Sequence, residues 1–397
     1  HDEACPSRRG LFSLAKGLAA LHSVAMPAAL RHRWSLSHNY LAGITAGAWW
    51  RLLRENRFAV SPAYWHRAAF ISVTSLLNTW YAWRERREFG ALIAAAKVDP
   101  EPVFILGHWR SGTTHLHNLM AQDERFAFAN TYQVVNPATF LKTEDVNSKR
   151  FAWMVPAKRL MDNMALSFQS PQEEEFAPAL LSLRSLYLGM SFPRRMPHYE
   201  RFLTFDRAEP ADEQAWKDAH LEFSKKLSLK YGGRPLLLKS PPNTARVRML
   251  LDLFPRARFV HIHRDPYTVY QSQLKFYDTV LWHTYLQRPD RDRLSDEILA
   301  RYREVFAALF RDIPAIPAGR FCEVSFTELE RQPLATVERI YTELGLGDFS
   351  SLRPKLETYV SSLKGYEKNS FPALDEMTRA RVREAAAACF ERWGYPQ

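Results

Sequence analysis

Two hydrophobic periodicities divide the chain. Up to about residue 97, apolar positions recur at helical spacing. Leu11, Leu14, Leu18 and Leu21 form one series, and AAFISVTSLLNTWYAW (Ala68 to Trp83) forms a longer one. Recurrence at i, i+3 and i+4 predicts amphipathic helices. At Pro102 the texture changes. VFILG (Val103 to Gly107) is a short continuous apolar run closed by glycine, the pattern of a strand buried on both faces of an α/β sheet. From Thr113 the chain can run as a helix to about Gln122. Residues 130–232 are less periodic and rich in turns, with a charged amphipathic helix over Trp216 to Tyr231. PLLLK (Pro235 to Lys239), RFVHIH (Arg258 to His263) and FCEVSF (Phe321 to Phe326) read as further strands. A helix capped by Asn243 or Thr244 and ending at Phe254–Pro255 joins the first two of these into a parallel βαβ unit. Helices are expected again at about 334–344 and 378–392.

Composition narrows the class. The 397 residues are 46% hydrophobic and 24% charged, as in a packed globular protein rather than a disordered or fibrous one. The net charge of +11 attracts nucleic acid, an acidic lipid surface or a polyanionic cofactor, unless it is only a basic surface. Cys5, Cys322 and Cys389 are too few and too scattered for a disulfide framework or a zinc site, and Cys322 lies in a strand-like run as a small buried hydrophobe. No run of about 18 apolar residues predicts a spanning helix. Trp and Arg flank the apolar face of 68–83, so this stretch is either a helical layer on the main domain or a membrane-surface helix. A cytoplasmic location, with peripheral membrane association through residues 11–97 as the sharper reading, follows. The chain starts at His1, which leaves room for a targeting segment before it.

The most informative segment is GHWRSGTTHLHNL, Gly107 to Leu119. A strand, a glycine, four residues, a second glycine and then Thr-Thr opening a helix build an anion cradle. Backbone N–H groups and the helix dipole supply partial positive charge, Ser111, Thr113 and Thr114 supply hydroxyls, and Arg110 supplies a fixed charge. A Walker A loop needs Lys directly after the second glycine. Here that position is Thr113, and the cation stands two residues before Gly112. The second anchor is HRDPYTVYQS, His263 to Ser272. Arg264 closes a strand at the crevice where α/β sheets bind ligands, and Ser272 lies two helical turns on. A guanidinium and a hydroxyl suit a phosphate dianion.

The Gly107 loop resembles the 5′-phosphosulfate-binding motif of sulfotransferases, whose cytosolic members read close to PKSGTTW. Arg110 takes the place of the motif's lysine, and Ser111, Gly112, Thr113 and Thr114 match directly. His115 stands where those enzymes carry a Trp that stacks on adenine, and either stacks there or faces the helix interior. Arg264 and Ser272 resemble the family's 3′-phosphate motif, with the same spacing of eight. LKGYEKNSF (Leu363 to Phe371) resembles the C-terminal 3′-phosphate turn, onto which Lys364 and Gly365 map; a solvated basic loop is the competing reading. EVSFTELERQP (Glu323 to Pro333) resembles the strand–helix beside the adenine and implies Ser325 and Phe326 near the base. The likeness runs from about Pro102 to the C-terminus, nearest a large, mostly bacterial subgroup with GHWRSGTT and LKSPP segments. It implies an α/β fold with a P-loop-like parallel sheet flanked by helices and an N-terminal helical extension. The extension spans 1–100 and the sulfotransferase domain 101–397, with 130–232 inserted as the acceptor region. It also implies transfer of a sulfuryl group from 3′-phosphoadenosine-5′-phosphosulfate (PAPS) to a hydroxyl or amine, leaving PAP, without a required metal.

Sulfuryl transfer, like phosphoryl transfer, needs cations on the leaving phosphate, a base near the acceptor and positioning. Arg110 and Lys239, the last residue of PLLLK, are the candidate cations. The family's usual bases are absent. Pro241 occupies the histidine position of a Lys-x-His segment, and no acid follows Glu124 in FAFANTYQ, Phe126 to Gln133. The next acids are PQEEEF, Pro171 to Phe176. Glu173 leads as base with Glu175 beside it, against an exposed acidic turn. His115, with His108, His117 and His263, competes. Phe151, Trp153, Met154, Met161 and Met164 favour a lipophilic small-molecule or lipid alcohol as acceptor over a polysaccharide, unless they form a second small core. Two other readings stand beside this one. A P-loop kinase shares the cradle but lacks the expected Lys and a magnesium-binding acid. A basic lipid- or nucleic-acid-binding protein would not need two ordered anion motifs, and no organised aromatic-basic pattern points to nucleic acid. The pattern carries no sign of oligomeric state.

Overall fold

The structure, a computed structural model, describes residues 30–37, 39–152, 166–363 and 371–397. Four parallel strands, β1 (Val103–Leu106), β2 (Leu237–Lys239), β3 (Arg258–His263) and β4 (Phe321–Ser325), form one sheet in the order β2-β1-β3-β4. Side chains alternate between its faces. Phe104, Leu106, Leu238 and Phe259 enter one core, while Val103, Ile105, Leu237 and Val260 enter the other. Burial on both sides explains why β1 reads as an unbroken apolar run. Because all pairings are parallel, Lys239, His263 and Ser325 finish their strands on the same edge as the loop after Leu106. That edge is where open α/β sheets bind ligands.

Ahead of the sheet come α1 (Ala46–Glu55) and the 31-residue α2 (Trp65–Ala95). Within the sheet region follow α3 (Thr113–Met120), α4 (Phe176–Ser182), α5 (Pro210–Lys230), α6 (Val247–Leu253), α7 (Pro266–Thr279), α8 (Leu294–Asp312) and α9 (Pro333–Leu344). The chain ends in α10 (Glu376–Ala385) and α11 (Ala387–Trp393). The larger core draws residues from Tyr40 through Phe390.

Two expectations need correction. The segment after β2 does not start a helix at Asn243 or Thr244. Pro241–Ala245 forms a 3-10 turn and α6 begins only at Val247. Both side chains have other partners: Thr244 Oγ1 accepts from the Gly107 N–H at 2.8 Å, and Asn243 Nδ2 donates to Glu174. The last helix is not continuous either; it breaks at Ala386 (φ −109°, ψ 16°). Leu11 to Leu21, Trp153, Met154, Met161, Met164, Lys364 and Gly365 lie outside the described residues.

Candidate active site

The loop after β1 turns on three residues with positive φ: Gly107 (150°), Arg110 (71°) and Gly112 (102°). A Cβ on Gly107 would sit 2.6 Å from the Ile262 carbonyl oxygen, and one on Gly112 would sit 2.3 Å from Phe326 Cδ2. Neither Cβ fits without displacing the β3 backbone or the Phe326 ring just after β4, so both glycines are there for close approach. Gly112 is also the N-cap of α3, which aims the first N–H groups of that helix into the loop. Ser111 is buried with its hydroxyl unpartnered. A buried hydroxyl among N-terminal amides has the chemistry of an anion donor, so this loop fits the 5′ end of a nucleotide phosphosulfate.

The second anchor meets the first. Arg110 Nε donates to Ser272 Oγ at 2.9 Å, and an Arg264 guanidinium N–H lies 3.4 Å from the Arg110 carbonyl oxygen. Asp265 caps α7 through the N–H groups of Tyr267 and Thr268, both at 3.2 Å, which fixes the helix carrying Ser272. The Arg264 guanidinium carbon stands 4.2 Å over the Phe326 ring. Burial, and then Arg110 beside it, pull the Arg264 pKa below its ordinary value. Two cations held this close raise the local positive potential, and a bound dianion would relieve it. The Ser325 hydroxyl caps the helix Phe326–Arg331 by accepting from the Glu328 N–H at 3.0 Å, so Ser325 positions Phe326. His115 is half-buried in the first turn of α3.

A third cluster forms where two segments close on each other, PQEEEF before α4 and LKSPPNTAR after β2. The three glutamates go different ways. Lys239 Nζ donates to Glu173 Oε1 at 2.8 Å and lies 3.4 Å from Thr114 Oγ1, while the Tyr187 hydroxyl donates to Glu173 Oε2. Glu174 is buried. It accepts from the Lys239 N–H at 2.8 Å and from Asn243, and burial pushes its carboxyl up to about 7. Glu175 is sealed in the core. Its carboxylate accepts from Arg246 at 2.7 Å, Ser185 at 2.6 Å and Trp216 at 3.1 Å, and its N–H donates to Ser240 at 2.9 Å. Of the three, only Glu173 keeps partial exposure.

Sequence reasoning missed Tyr187. It lies in the apolar run SLYLGM, where nothing marks a phenol as polar machinery. It also missed the bond from Gly107 to Thr244, because that contact spans 137 positions. Burial pushes His108 and His117 down to about 3 and His263 down to about 4. His263 also stacks on Trp393 with centroids 4.6 Å apart and pairs with Tyr395 at 2.9 Å. Among the described residues no group of three or more His, Cys, Asp or Glu could hold a metal.

A family model described as "Sulfotransferase family" matches residues 102–350, the span that carries β1 to β4 and all three clusters. This chain belongs to the sulfotransferase family. The Stf3 protein of Mycobacterium tuberculosis, named an omega-hydroxy-beta-dihydromenaquinone-9 sulfotransferase, is 35% identical over 353 residues, covering 89% of this chain and 90% of that protein. Its counterpart in Mycobacterium bovis has the same identity and coverage. Among solved structures, the fold matches sulfotransferase STF9 from Mycobacterium avium with a TM-score of 0.69, 16% identity and coverage of 100% and 99%. It also matches STF1 from Mycobacterium tuberculosis with a TM-score of 0.59, 15% identity and coverage of 96% and 99%. This sulfotransferase is therefore a PAPS-dependent transferase with a P-loop-like α/β fold, and the kinase and non-enzymatic readings give way to it.

Proposed function

We propose that this sulfotransferase moves a sulfuryl group from PAPS to the hydroxyl of a lipophilic alcohol, with Glu173 as general base and Lys239 and Arg110 as the cations on the leaving phosphate. The observation that carries the reading is the position of Lys239. Its ammonium touches both Thr114 of the anion loop and Glu173, so it links the donor's cradle to the base. In the reaction, the acceptor O–H proton passes to the Glu173 carboxylate as the new S–O bond forms. The S–O bond to the phosphate breaks, and PAP leaves with the electron pair. Lys239 can follow that charge from carboxylate to phosphate without leaving the site. Tyr187 holds the second carboxylate oxygen and fixes its orientation. His108, His117 and His263 are poor bases because burial holds them neutral with little proton affinity. His115 remains the alternative base. Glu175 takes a structural role in this scheme, and Lys364 and Gly365 remain candidates for the 3′-phosphate.

The acceptor class rests on two supports. Aromatic rings crowd Glu173's partner Tyr187: Phe176 at 4.8 Å and Trp109 at 6.4 Å, with Tyr40 5.1 Å from Phe176. The relative from Mycobacterium tuberculosis carries a hydroxylated menaquinone in its name. A screen of lipid alcohols, amines and sugars with labelled PAPS, read by mass spectrometry of the product, tests the proposal. Transfer to sugars alone would overturn the acceptor class.

Donor binding yields two expected outcomes. Saturating PAP raises the melting temperature, because a ligand that binds only the folded state stabilises it by mass action. ATP at the same concentration gives the smaller shift; an unchanged melting temperature with PAP would remove the donor assignment. Arg264→Ala weakens PAP binding by roughly tenfold or more, since a hydrogen bond to a charged group is worth about 1.5–3 kcal/mol. Ser272→Ala costs less, because it removes a neutral hydroxyl and leaves both guanidinium groups in place. Titration calorimetry with PAP gives the order, and equal affinity in wild type and Arg264→Ala would exclude the second anchor.

A further inference from the structure

Helix α2 is inside out. Its inward face carries Arg67, Ile71, Ser75 and Glu85, while Trp65, Val73, Leu76, Leu77, Trp80 and Trp83 face solvent, Leu76 with 66% of its surface exposed. The inward charges are satisfied. Glu85 forms a fully buried pair with Lys226, and Arg67 donates to the carbonyls of His32, Ser35 and Tyr285. These bonds fix which face points out. The outward residues fall within about a third of the helix circumference, with Val73, Leu76, Trp80 and Trp83 spaced three or four apart, so they form one stripe along a helix about 46 Å long.

We propose that this stripe seats the protein on a lipid surface bearing anionic headgroups. The charge around the stripe selects that occupant. Arg84 stands 5.0 Å over the Trp80 ring and Arg87 stands 4.8 Å over the Trp83 ring. Trp beside Arg is the pairing suited to the boundary between headgroups and acyl chains. Arg51, Arg54 and Arg57, in and just after neighbouring α1, are exposed as well. The acids of the same two helices are paired with cations: Glu85 is buried with Lys226, Glu55 faces Arg184, and the exposed Glu88 pairs with Lys142. The rim is therefore positive, which attracts acidic lipid and repels the same surface on a second copy. Trp49 on α1 donates to Ser72 at 2.9 Å, and the Ala46 N–H donates to Thr79 at 2.8 Å. Both bonds brace α2 from the side and leave the stripe open. No helix among the described residues is long and apolar enough to cross a membrane, so the contact is with the surface.

This inference does not depend on the acceptor reading, and its test measures binding rather than transfer. The full chain is mixed with sedimenting vesicles of phosphatidylcholine containing about a third phosphatidylglycerol, a composition chosen for its charge, and with vesicles of phosphatidylcholine alone. The protein is expected to sediment with the anionic vesicles, less with the neutral ones, and less again in high salt. The pair Leu76→Asp and Trp80→Asp should lower the partition coefficient by about tenfold or more, since binding scales with apolar area and surface charge. Arg84→Glu with Arg87→Glu should do the same on anionic vesicles only. All four residues are exposed, so circular dichroism and PAP affinity should stay at wild-type values. No sedimentation of the full chain, or sedimentation unchanged by the Asp pair, would overturn the proposal. So would light scattering that shows a dimer broken by Leu76→Asp without any vesicle binding.

Discussion

Glu173→Gln is expected to lower kcat by about 10²–10⁴-fold, the usual worth of general-base assistance, while PAP affinity stays near wild type. The substitution is nearly isosteric. An amide oxygen can still accept from Lys239, so the loop and the lysine keep their geometry, but the amide has no useful affinity for the acceptor's proton. Loss should therefore fall on kcat and on kcat/KM together, the mark of an interaction made in the transition state. Tyr187→Phe should cost less than Glu173→Gln, because the phenol orients the carboxylate without receiving the proton. Steady-state rates with a lipid alcohol and PAPS, beside calorimetry with PAP, decide the matter. Full activity in Glu173→Gln with loss in His115→Ala would move the base to α3.

Much of the donor side was legible because its elements are local. β1, the Gly107 loop and the start of α3 are one contiguous stretch, and the glycine spacing predicts the cradle before any packing is known. Arg264 and Ser272 are eight residues apart, just past β3 and on the next helix, so short-range geometry puts both at the sheet edge, where each touches Arg110. The boundaries of β1 came close for a related reason: its four residues are buried on both faces, so the run is apolar throughout. The sequence does not show which glutamate faces the chemistry. Glu173, Glu174 and Glu175 are adjacent and chemically alike, and their partners Lys239, Asn243 and Arg246 lie 66 to 71 positions away. Only the closure of PQEEEF against LKSPPNTAR sorts them. α2 fails in another way. Its period predicts an amphipathic helix, but the ordinary rule would turn Leu76 and Trp80 inward. The long-range pairs from Glu85 and Arg67 reverse it. The break at Ala386 had no signal, since four consecutive alanines from Ala385 carry neither a cap nor a breaker.

The second large effect belongs to Glu175, and it should appear in stability. Glu175 and Arg246 form an ion pair in which both side chains are fully buried. Arg246 also donates to the Leu203 carbonyl at 2.9 Å and to that of Phe202, and it stands 4.8 Å over Trp216 and 5.1 Å over Phe205. Glu175→Ala would leave this guanidinium charged inside the core and strand the Ser185 and Trp216 donors. Removing one partner of a buried pair costs about 3–5 kcal/mol, chiefly through the uncompensated charge that remains. In a chain of 397 residues that corresponds to a fall of roughly 4–6 °C in melting temperature. Removing both charges should hurt less than the sum. In Glu175→Leu with Arg246→Met the carbonyls of Phe202 and Leu203 lose a donor, but no ion is left in the core, and such exchanges are often close to neutral. Denaturant unfolding of Glu175→Leu, Arg246→Met and the double variant gives the coupling directly. A double variant clearly more stable than Glu175→Ala marks Glu175 as the brace that holds PQEEEF against the strand end, which in turn sets Glu173 beside Lys239. If Glu175→Ala instead keeps wild-type stability and loses turnover, the carboxylate reaches the acceptor and the division of labour among the three glutamates is reversed.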